Sequence, residues 1–106
     1  MCGRHLKKVS LEMGGKNAII VMDDADIALA VEAIIWSAFG TSGQRCTACS
    51  RVIVHEHVKK QVEERLLAAI STLTVGNGLE EGVKVGPVIN QDALQKNSPL
   101  RSNRKK

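Results

Sequence analysis

The sequence predicts an α/β fold in which short strands alternate with two amphipathic helices. Residues 18–22 (Ala-Ile-Ile-Val-Met) form an uninterrupted apolar run, which is typical of a strand buried on both faces of a parallel sheet. Residues 52–54 (Val-Ile-Val) form a second β-branched run. Apolar residues recur with helical spacing over about residues 25–38 and 57–73. Strands that alternate with helices in this order indicate the α/β class.

A short strand is also predicted before these elements, over residues 8–13. Apolar residues alternate with polar ones from Val9 to Met13, as they do in a strand with one buried face. The pair Gly14 and Gly15 should end this strand, because consecutive glycines permit a turn that most residues cannot adopt.

The two helices have clear apolar faces. The acidic run Asp23-Asp24-Ala25-Asp26 supplies an N-cap and a negative first turn for the first helix, and both are favourable at a helix start. The residues expected to face inward on the first helix are Ile27, Ala30, Val31, Ile34, Ile35 and Ala38. Those expected to face inward on the second helix are Val58, Val62, Leu66, Ala69, Ile70 and Leu73.

The C-terminal part of the chain carries weaker signals. A loop over residues 76–86 leads to an apolar stretch at residues 85–89, and a short helical turn follows at residues 92–96. Residues 97–106 are polar, aperiodic and basic, so we predict a disordered tail there. A short basic targeting or interaction tail is the alternative.

Charge and composition narrow the function classes. The 106 residues carry a net charge of +4, but four basic residues and no acid lie in the last ten positions, which leaves the body of the chain neutral. Trp36 and Phe39 are the only aromatic residues. A neutral body with so few aromatics offers no platform for stacking bases, so we predict no nucleic-acid partner.

The cysteines and the hydropathy pattern indicate a location. Cys2, Cys46 and Cys49 are an odd set without zinc-type pairing to histidine, which favours a reducing compartment and predicts no metal site. No apolar run approaches the ~18 residues that span a membrane, and the N-terminus lacks a signal-peptide core. We therefore predict a cytoplasmic protein without a membrane partner.

The first motif that carries chemistry is Gly43-Gln44-Arg45-Cys46-Thr47-Ala48. A nucleophilic cysteine needs thiolate character and access, which a glycine-containing loop and a positive neighbour such as Arg45 favour. A lone cysteine in an intracellular protein is more often a small buried hydrophobe. Cys2 and Cys49 lack this frame, and we interpret both as inert.

The second motif is Val9-Ser10-Leu11-Glu12-Met13-Gly14-Gly15-Lys16. Taken alone, Glu12 is typical of a solvated glutamate at a strand edge. A carboxylate that is partly removed from water near a cysteine pocket can take a proton from water near neutral pH.

Together and in this order, with Phe39 upstream of the cysteine, the two motifs closely resemble the active-site signatures of the NAD(P)-dependent aldehyde dehydrogenase superfamily. The resemblance runs from about Leu6 to about Lys96 and covers a minor part of the family's length. It implies that Cys46 is the catalytic nucleophile and that Glu12 is the general base. It also implies that Met13 and Gly14 line the nicotinamide end of a cleft for NAD or NADP.

The reaction implied by this resemblance oxidises an aldehyde to a carboxylic acid through a Cys46 thioester. Glu12 favours the branch of the family that hydrolyses the thioester over the branch that transfers the acyl group to coenzyme A. Arg45 and Thr47 would flank the aldehyde tunnel, and the motifs lean toward the subgroups that oxidise semialdehydes. The sequence does not select one aldehyde, nor NAD over NADP.

The same resemblance implies a domain division and a competing function. Residues 1–13 would be the terminal strand of a missing cofactor domain, residues 14–96 a partial catalytic domain and residues 97–106 the tail. Segments that hold the cofactor phosphates and build the oligomer have no counterpart in the chain, so we expect no turnover by the chain alone. The alternative to an enzyme is a truncated, inactive fragment, or an interaction piece that associates with itself or with full-length subunits.

Overall fold

The computed structural model describes residues 2–5, 7–11 and 13–102. A parallel pair of strands joined by a helix forms its centre, and a second helix packs against the same unit. The α/β class predicted from the sequence is confirmed. The strands and helices are β1 (Asn17–Val21), α1 (Ile27–Phe39), β2 (Cys49–Val54), α2 (Lys59–Ser71) and α3 (Gln91–Ser102). Short 3₁₀ segments lie at Cys2–His5, Gly40–Gly43 and Glu56–Val58.

The two strands pair in parallel, with Ile19 opposite Val52 and Ile20 opposite Ile53. The register is irregular between Asn17 and Ala18, at the amino end of β1. Parallel strands cannot be joined by a tight hairpin, and α1 provides the crossover between them. The amino ends of both strands therefore lie together at one edge of the unit, and their carboxyl ends lie together at the other.

The core lies on the face of the sheet that α1 and α2 cover. Val21 and Val62 are each 1% exposed. Each fully buried aliphatic side chain contributes roughly 1.5–3 kcal/mol. The predicted inner faces of the two helices are confirmed, with the exception of Ile70, which is exposed. The buried residues of this core are Val21, Ile27, Val31, Ile34 and Val62.

The opposite face of the sheet is open, and the prediction that residues 18–22 are buried on both faces is wrong. Ile20 is 65% exposed and its cross-strand partner Ile53 is 53% exposed. The residues that the structure describes place helices against one face only, so alternate side chains of β1 meet solvent. A continuous apolar run predicts two buried faces only when both covering layers are present.

The start of α1 agrees with the acidic run in the sequence. Asp26 caps the helix, and its Oδ1 accepts hydrogen bonds from the backbone N–H groups of Ala28 at 2.9 Å and Leu29 at 3.1 Å. These bonds satisfy N–H groups that the first turn of a helix leaves without partners.

The strand predicted at residues 8–13 does not form in the described part of this segment, residues 8–11 and 13. Val9, Leu11 and Met13 are 54%, 70% and 68% exposed. A strand is stabilised by hydrogen bonds to a neighbour, and β1 pairs with β2 instead. The alternation of apolar residues does not determine whether a partner strand is present. Glu12 lies outside the described residues.

The C-terminal part contains a longer helix than the sequence predicted. Val75 and Val85 form an isolated parallel bridge, whereas residues 86–89 form no strand. The predicted turn at residues 92–96 is part of the longer α3, which ends at Ser102 inside the segment expected to be disordered. Asn90 favours this helix because its Oδ1 accepts from the Ala93 N–H at 2.9 Å. Residues 103–106 of the predicted tail lie outside the described part.

The molecule is less compact than an average domain of its length. The radius of gyration is 17.4 Å, whereas a compact domain of about 100 residues has one of about 13 Å. A search of the described helices found none with the length and apolar character needed to cross a membrane.

Candidate active site

One cavity brings the two sequence motifs together. It has a volume of about 420 Å³ and is lined by Met13, Gly14 and Gly15 from the first motif and by Gly43, Gln44, Arg45 and Cys46 from the second. Three of the four predicted site residues, Met13, Gly14 and Cys46, therefore share a cavity. The fourth, Glu12, lies outside the described residues, although both of its sequence neighbours are described.

The loop that carries Cys46 begins with a left-handed turn. The φ angles of Thr41, Ser42 and Gly43 are 53°, 55° and 69°, and this conformation costs an L residue other than glycine roughly 1–2 kcal/mol. Glycine suits the third position for a second reason, because a Cβ there would lie 2.9 Å from the carbonyl oxygen of Ala38. The turn redirects the chain after α1 and brings Cys46 to the amino ends of the strands.

Contacts from the C-terminal part of the chain hold this turn in place. The Ser42 hydroxyl donates to the carbonyl oxygen of Gly86 at 2.7 Å. The side-chain oxygen of Gln44 accepts from the Ile89 N–H at 2.9 Å. Residues 86–89, which form no strand, thus brace the loop next to the cavity.

Asn17 ties the two motifs to each other. Its side-chain amide donates to the carbonyl oxygen of Cys46 at 2.7 Å and to that of Ala48 at 3.3 Å. Arg51 adds a second tie, donating from Nη2 to the carbonyl oxygen of Lys16 at 2.6 Å. Asn17 was not among the predicted site residues. The sequence feature that could have identified it is an amide side chain directly after Gly-Gly-Lys, at the start of a strand.

The guanidinium of Arg45 packs against α1. Its Cζ lies 3.8 Å from the centroid of the Trp36 ring, and its Nη2 donates to the Trp36 carbonyl oxygen at 2.9 Å. Its Nε is buried and has no hydrogen-bond partner among the described residues. A cation–π contact of this kind contributes roughly 0.5–1 kcal/mol at an exposed site and anchors the residue before Cys46 to the helix.

The two cysteines described with their side chains differ in access. Cys46 is exposed at the cavity, whereas Cys49 is half-buried at the start of β2. The Cys49 thiol donates to the carbonyl oxygen of Arg51 at 3.2 Å, and its backbone N–H donates to the Ser37 hydroxyl at 3.1 Å. Of these two thiols, Cys46 is the more accessible.

A larger cavity, of about 480 Å³, lies elsewhere, between α1 and α2. Its walls are mainly apolar, with Glu32 and Lys84 as the charged residues among those that line it. Cys46 is not among the residues that line it.

Comparison with known proteins agrees with the family resemblance of the two sequence motifs. The model of the aldehyde dehydrogenase family matches residues 1–106. The chain is 50% identical over 92 residues to a 1-pyrroline-5-carboxylate dehydrogenase of Oceanobacillus iheyensis, which covers 87% of the chain and 18% of that protein. The chain spans less than a fifth of the length of this curated relative.

Solved structures show the same similarity. A succinate-semialdehyde dehydrogenase from Burkholderia pseudomallei matches with a TM-score of 0.80 and 42% identity, over 92% of the chain and 20% of its own length. A betaine aldehyde dehydrogenase from Staphylococcus aureus, solved in complex with NAD+, matches with a TM-score of 0.82 and 32% identity. The match covers 94% of the chain and 20% of that protein.

Proposed function

Because the chain belongs to the aldehyde dehydrogenase family, we propose that it carries the nucleophile and the general base of an oxidoreductase that converts an aldehyde to a carboxylic acid with NAD(P)+. The observation that carries this proposal is the shared cavity, which places Cys46 beside Met13 and Gly14 from the motif that contains Glu12.

Cys46 is the nucleophile in this proposal. Its thiolate attacks the carbonyl carbon of the aldehyde and forms a carbon–sulfur bond, which splits one difficult oxidation into two steps. The exposure of Cys46 and the ties from Asn17 to the loop support this role, because they leave the thiol accessible on a fixed backbone. A thiol nucleophile must stay reduced, and we therefore propose a reducing, cytoplasmic setting.

Glu12 acts after oxidation has left a thioester on Cys46. It takes a proton from a water molecule, whose oxygen attacks the thioester carbon; the carbon–sulfur bond breaks, the carboxylic acid leaves and the thiolate returns. The position of Glu12 in the sequence, directly before Met13, supports this role because Met13 lines the cavity.

The described residues fit one end of the cofactor. When bound, NAD(P)+ supplies the acceptor for the hydride of the aldehyde. Met13 and Gly14 would lie at its nicotinamide end, and a Cβ on Gly14 would meet nothing within 4 Å, so this wall is open to a ligand. The amino end of α1 does not suit the phosphates of the cofactor, because the backbone N–H groups of Ala28 and Leu29 already donate to Asp26.

We propose a semialdehyde as the substrate class. The similarity to a succinate-semialdehyde dehydrogenase supports this choice.

The first test needs the chain alone. Limiting iodoacetamide at neutral pH, followed by peptide mapping, should label Cys46 before Cys49 and Cys2. Equal labelling of all three thiols would contradict a formed site. The chain should also hydrolyse an activated ester through an acyl-Cys46 intermediate, because this reaction needs only the thiol and the base. It should not reduce NAD(P)+, because positioning of the reactants can supply ~7–11 kcal/mol of the barrier to hydride transfer.

The second test supplies the rest of a family member. Residues 6–96 would replace the matching segment of the Oceanobacillus iheyensis relative, and the chimera would be assayed with semialdehydes and both cofactors. Cys46→Ala should reduce turnover to background, whereas Glu12→Gln should keep the first, stoichiometric burst of reduced cofactor and slow the steady state. A Glu12→Gln variant with an unchanged steady state would remove Glu12 from the proposal.

A second candidate function is association with other family chains. The open face of the sheet around Ile20 and Ile53 favours it, as do the exposed side chains of Val9, Leu11 and Met13. Sedimentation of the chain, alone and with a full-length relative, tests this candidate. A monomer in both samples would reject it. Cofactor reduction by the chain alone that disappears in Cys46→Ala would instead show a complete enzyme.

A further inference from the structure

Three potential metal ligands meet at the carboxyl ends of the two strands. Asp23 follows β1, whereas His55 and His57 follow β2, which ends at Val54. One ligand atom from each of the three side chains lies within 4.8 Å of the other two. The parallel pairing creates this arrangement, because it brings the carboxyl ends of both strands to the same edge.

The side chains of this cluster already face one another. The Nδ1 atom of His57 lies 4.0 Å from the Oδ2 atom of Asp23. The rings of His55 and His57 lie 4.7 Å apart at 72° to each other. The side chains of His57 and Asp23 are 70% and 50% exposed, so both can rotate without disturbing the core.

Two imidazoles and one carboxylate are a ligand set that suits Zn²⁺ and its neighbours in the first transition row. Bonds of ~2.0–2.2 Å in a tetrahedral site place the ligand atoms about 3.3 Å apart. Closing the gaps from at most 4.8 Å needs only small rotations, chiefly of the exposed side chains of Asp23 and His57 around the half-buried His55.

The present hydrogen bonds do not oppose such a site. The Nδ1 atom of His55 accepts from the backbone N–H of His57 at 3.4 Å, which is long for such a bond and is easily exchanged for a metal bond. The carboxylate of Glu56 lies 3.9 Å from Nε2 of His57. It can therefore accept the proton of this nitrogen when Nδ1 binds a metal, as outer-shell carboxylates do in zinc sites.

We propose that Asp23, His55 and His57 form a zinc-class site that ties the carboxyl ends of β1 and β2 together. It is independent of the proposed enzymatic function, because Cys46 lies at the opposite, amino end of the strands. No metal was predicted from the sequence, because the cysteines have no zinc-type spacing to histidine. Asp23 joins the histidines only through the parallel pairing.

The test is calorimetric titration of Zn²⁺ into the full chain, purified without a histidine tag and with its cysteines alkylated to remove competing thiols. One Zn²⁺ should bind per chain. His57→Ala and Asp23→Asn should each weaken binding by at least about tenfold. His5→Ala removes the third histidine of the chain, outside the cluster, and should leave the affinity unchanged.

A second measurement separates binding from misfolding. The melting temperature of the parent chain and of His5→Ala should rise with Zn²⁺ concentration, because a ligand of the folded state stabilises it. That of His57→Ala should match the parent without metal and should not respond to Zn²⁺. No binding to the parent chain, or equal affinities for the parent, His57→Ala and His5→Ala, would overturn the proposal.

Discussion

The covered face of the sheet and the loop that carries Cys46 are held by different forces. Under α1 and α2, Val21 and Val62 are each 1% exposed, and the interior contains no buried polar residue among those described. The loop has no buried residue. It is held by hydrogen bonds that Asn17 and Ser42 donate to backbone carbonyl groups and by one that Gln44 accepts from a backbone N–H.

This difference indicates that the framework and the site can fail separately. Burial is shared by many atoms, so removing one large core side chain weakens the whole unit. A hydrogen bond between exposed groups contributes roughly 0.5–1.5 kcal/mol and acts locally. Substitutions in the core should therefore change global stability, whereas those around the loop should mainly change the behaviour of Cys46.

The largest effect is expected for Ile34→Ala on the covered face. Ile34 is 2% exposed, and its truncation should lower the free energy of unfolding by ~2–5 kcal/mol through lost burial and a new cavity. Urea unfolding followed by circular dichroism measures it. Ile53→Ala on the open face is the matched control, and an equal loss for both variants would erase the distinction between the faces.

Gly43→Ala should be next, at ~1–3 kcal/mol, because it combines a positive φ with a close approach to the Ala38 carbonyl. It should also alter the alkylation rate of Cys46, since the turn positions the loop. In Gly78→Ala the new Cβ meets nothing within 4 Å, and this variant should change neither quantity. Thermal melting together with alkylation kinetics distinguishes the two variants.

Asp26→Ala should cost ~0.5–2 kcal/mol, because it leaves the Ala28 and Leu29 N–H groups without their cap. Asp26→Asn keeps an acceptor at the same position and should retain most of the stability. Chemical denaturation measures both variants. If Asp26→Asn were as destabilised as Asp26→Ala, the effect would come from charge and not from capping.

Asn17→Ala should change global stability by only ~0.5–1.5 kcal/mol, yet it should change the alkylation rate of Cys46 several-fold, because the carbonyl oxygens of Cys46 and Ala48 lose their shared donor. The rate of Cys49 alkylation in the same sample is the internal control. Parallel changes for both thiols would indicate general loosening and would contradict a local tie.

The smallest effect on stability is expected for Ile20→Lys on the open face. Ile20 is 65% exposed, so the free energy of unfolding should change by no more than ~0.5 kcal/mol. Self-association of the chain should decrease, because a charge interrupts the exposed apolar surface. Sedimentation velocity at several concentrations measures this, and unchanged association would place the contact surface elsewhere.

The features that could be predicted from the sequence are those set by interactions between residues that are close along the chain. The helix around Ile34 and its cap at Asp26 were predictable because periodicity and capping act within a few residues. The strand expected at residues 8–13 did not form, because a strand depends on a neighbour that alternation does not provide. The exposure of Ile20 has the same cause, since it depends on which layers cover the sheet.

From the residues alone the candidate site was predictable only as two separate motifs, and the family resemblance joined them into one site. Their meeting in one cavity, the tie from Asn17 and the orientation of Arg45 toward Trp36 depend on contacts between segments that are distant in sequence. The helix α3 shows the reverse case: a local Asn90 cap was present in the sequence, but the polar composition of residues 97–106 hid it.

The length of β2 also sets the distance between the Cys46 loop and the histidine cluster. β2 is six residues long, and strands rise ~3.3 Å per residue, so a label at Cys46 and one at His57 would be separated by roughly 20 Å or somewhat more. A nitroxide on Cys46 and a Cu²⁺ ion at the histidines would report this length by pulsed electron resonance. Fraying of the two-stranded sheet would then appear as a broadened distance distribution in a sample that still retains its helices.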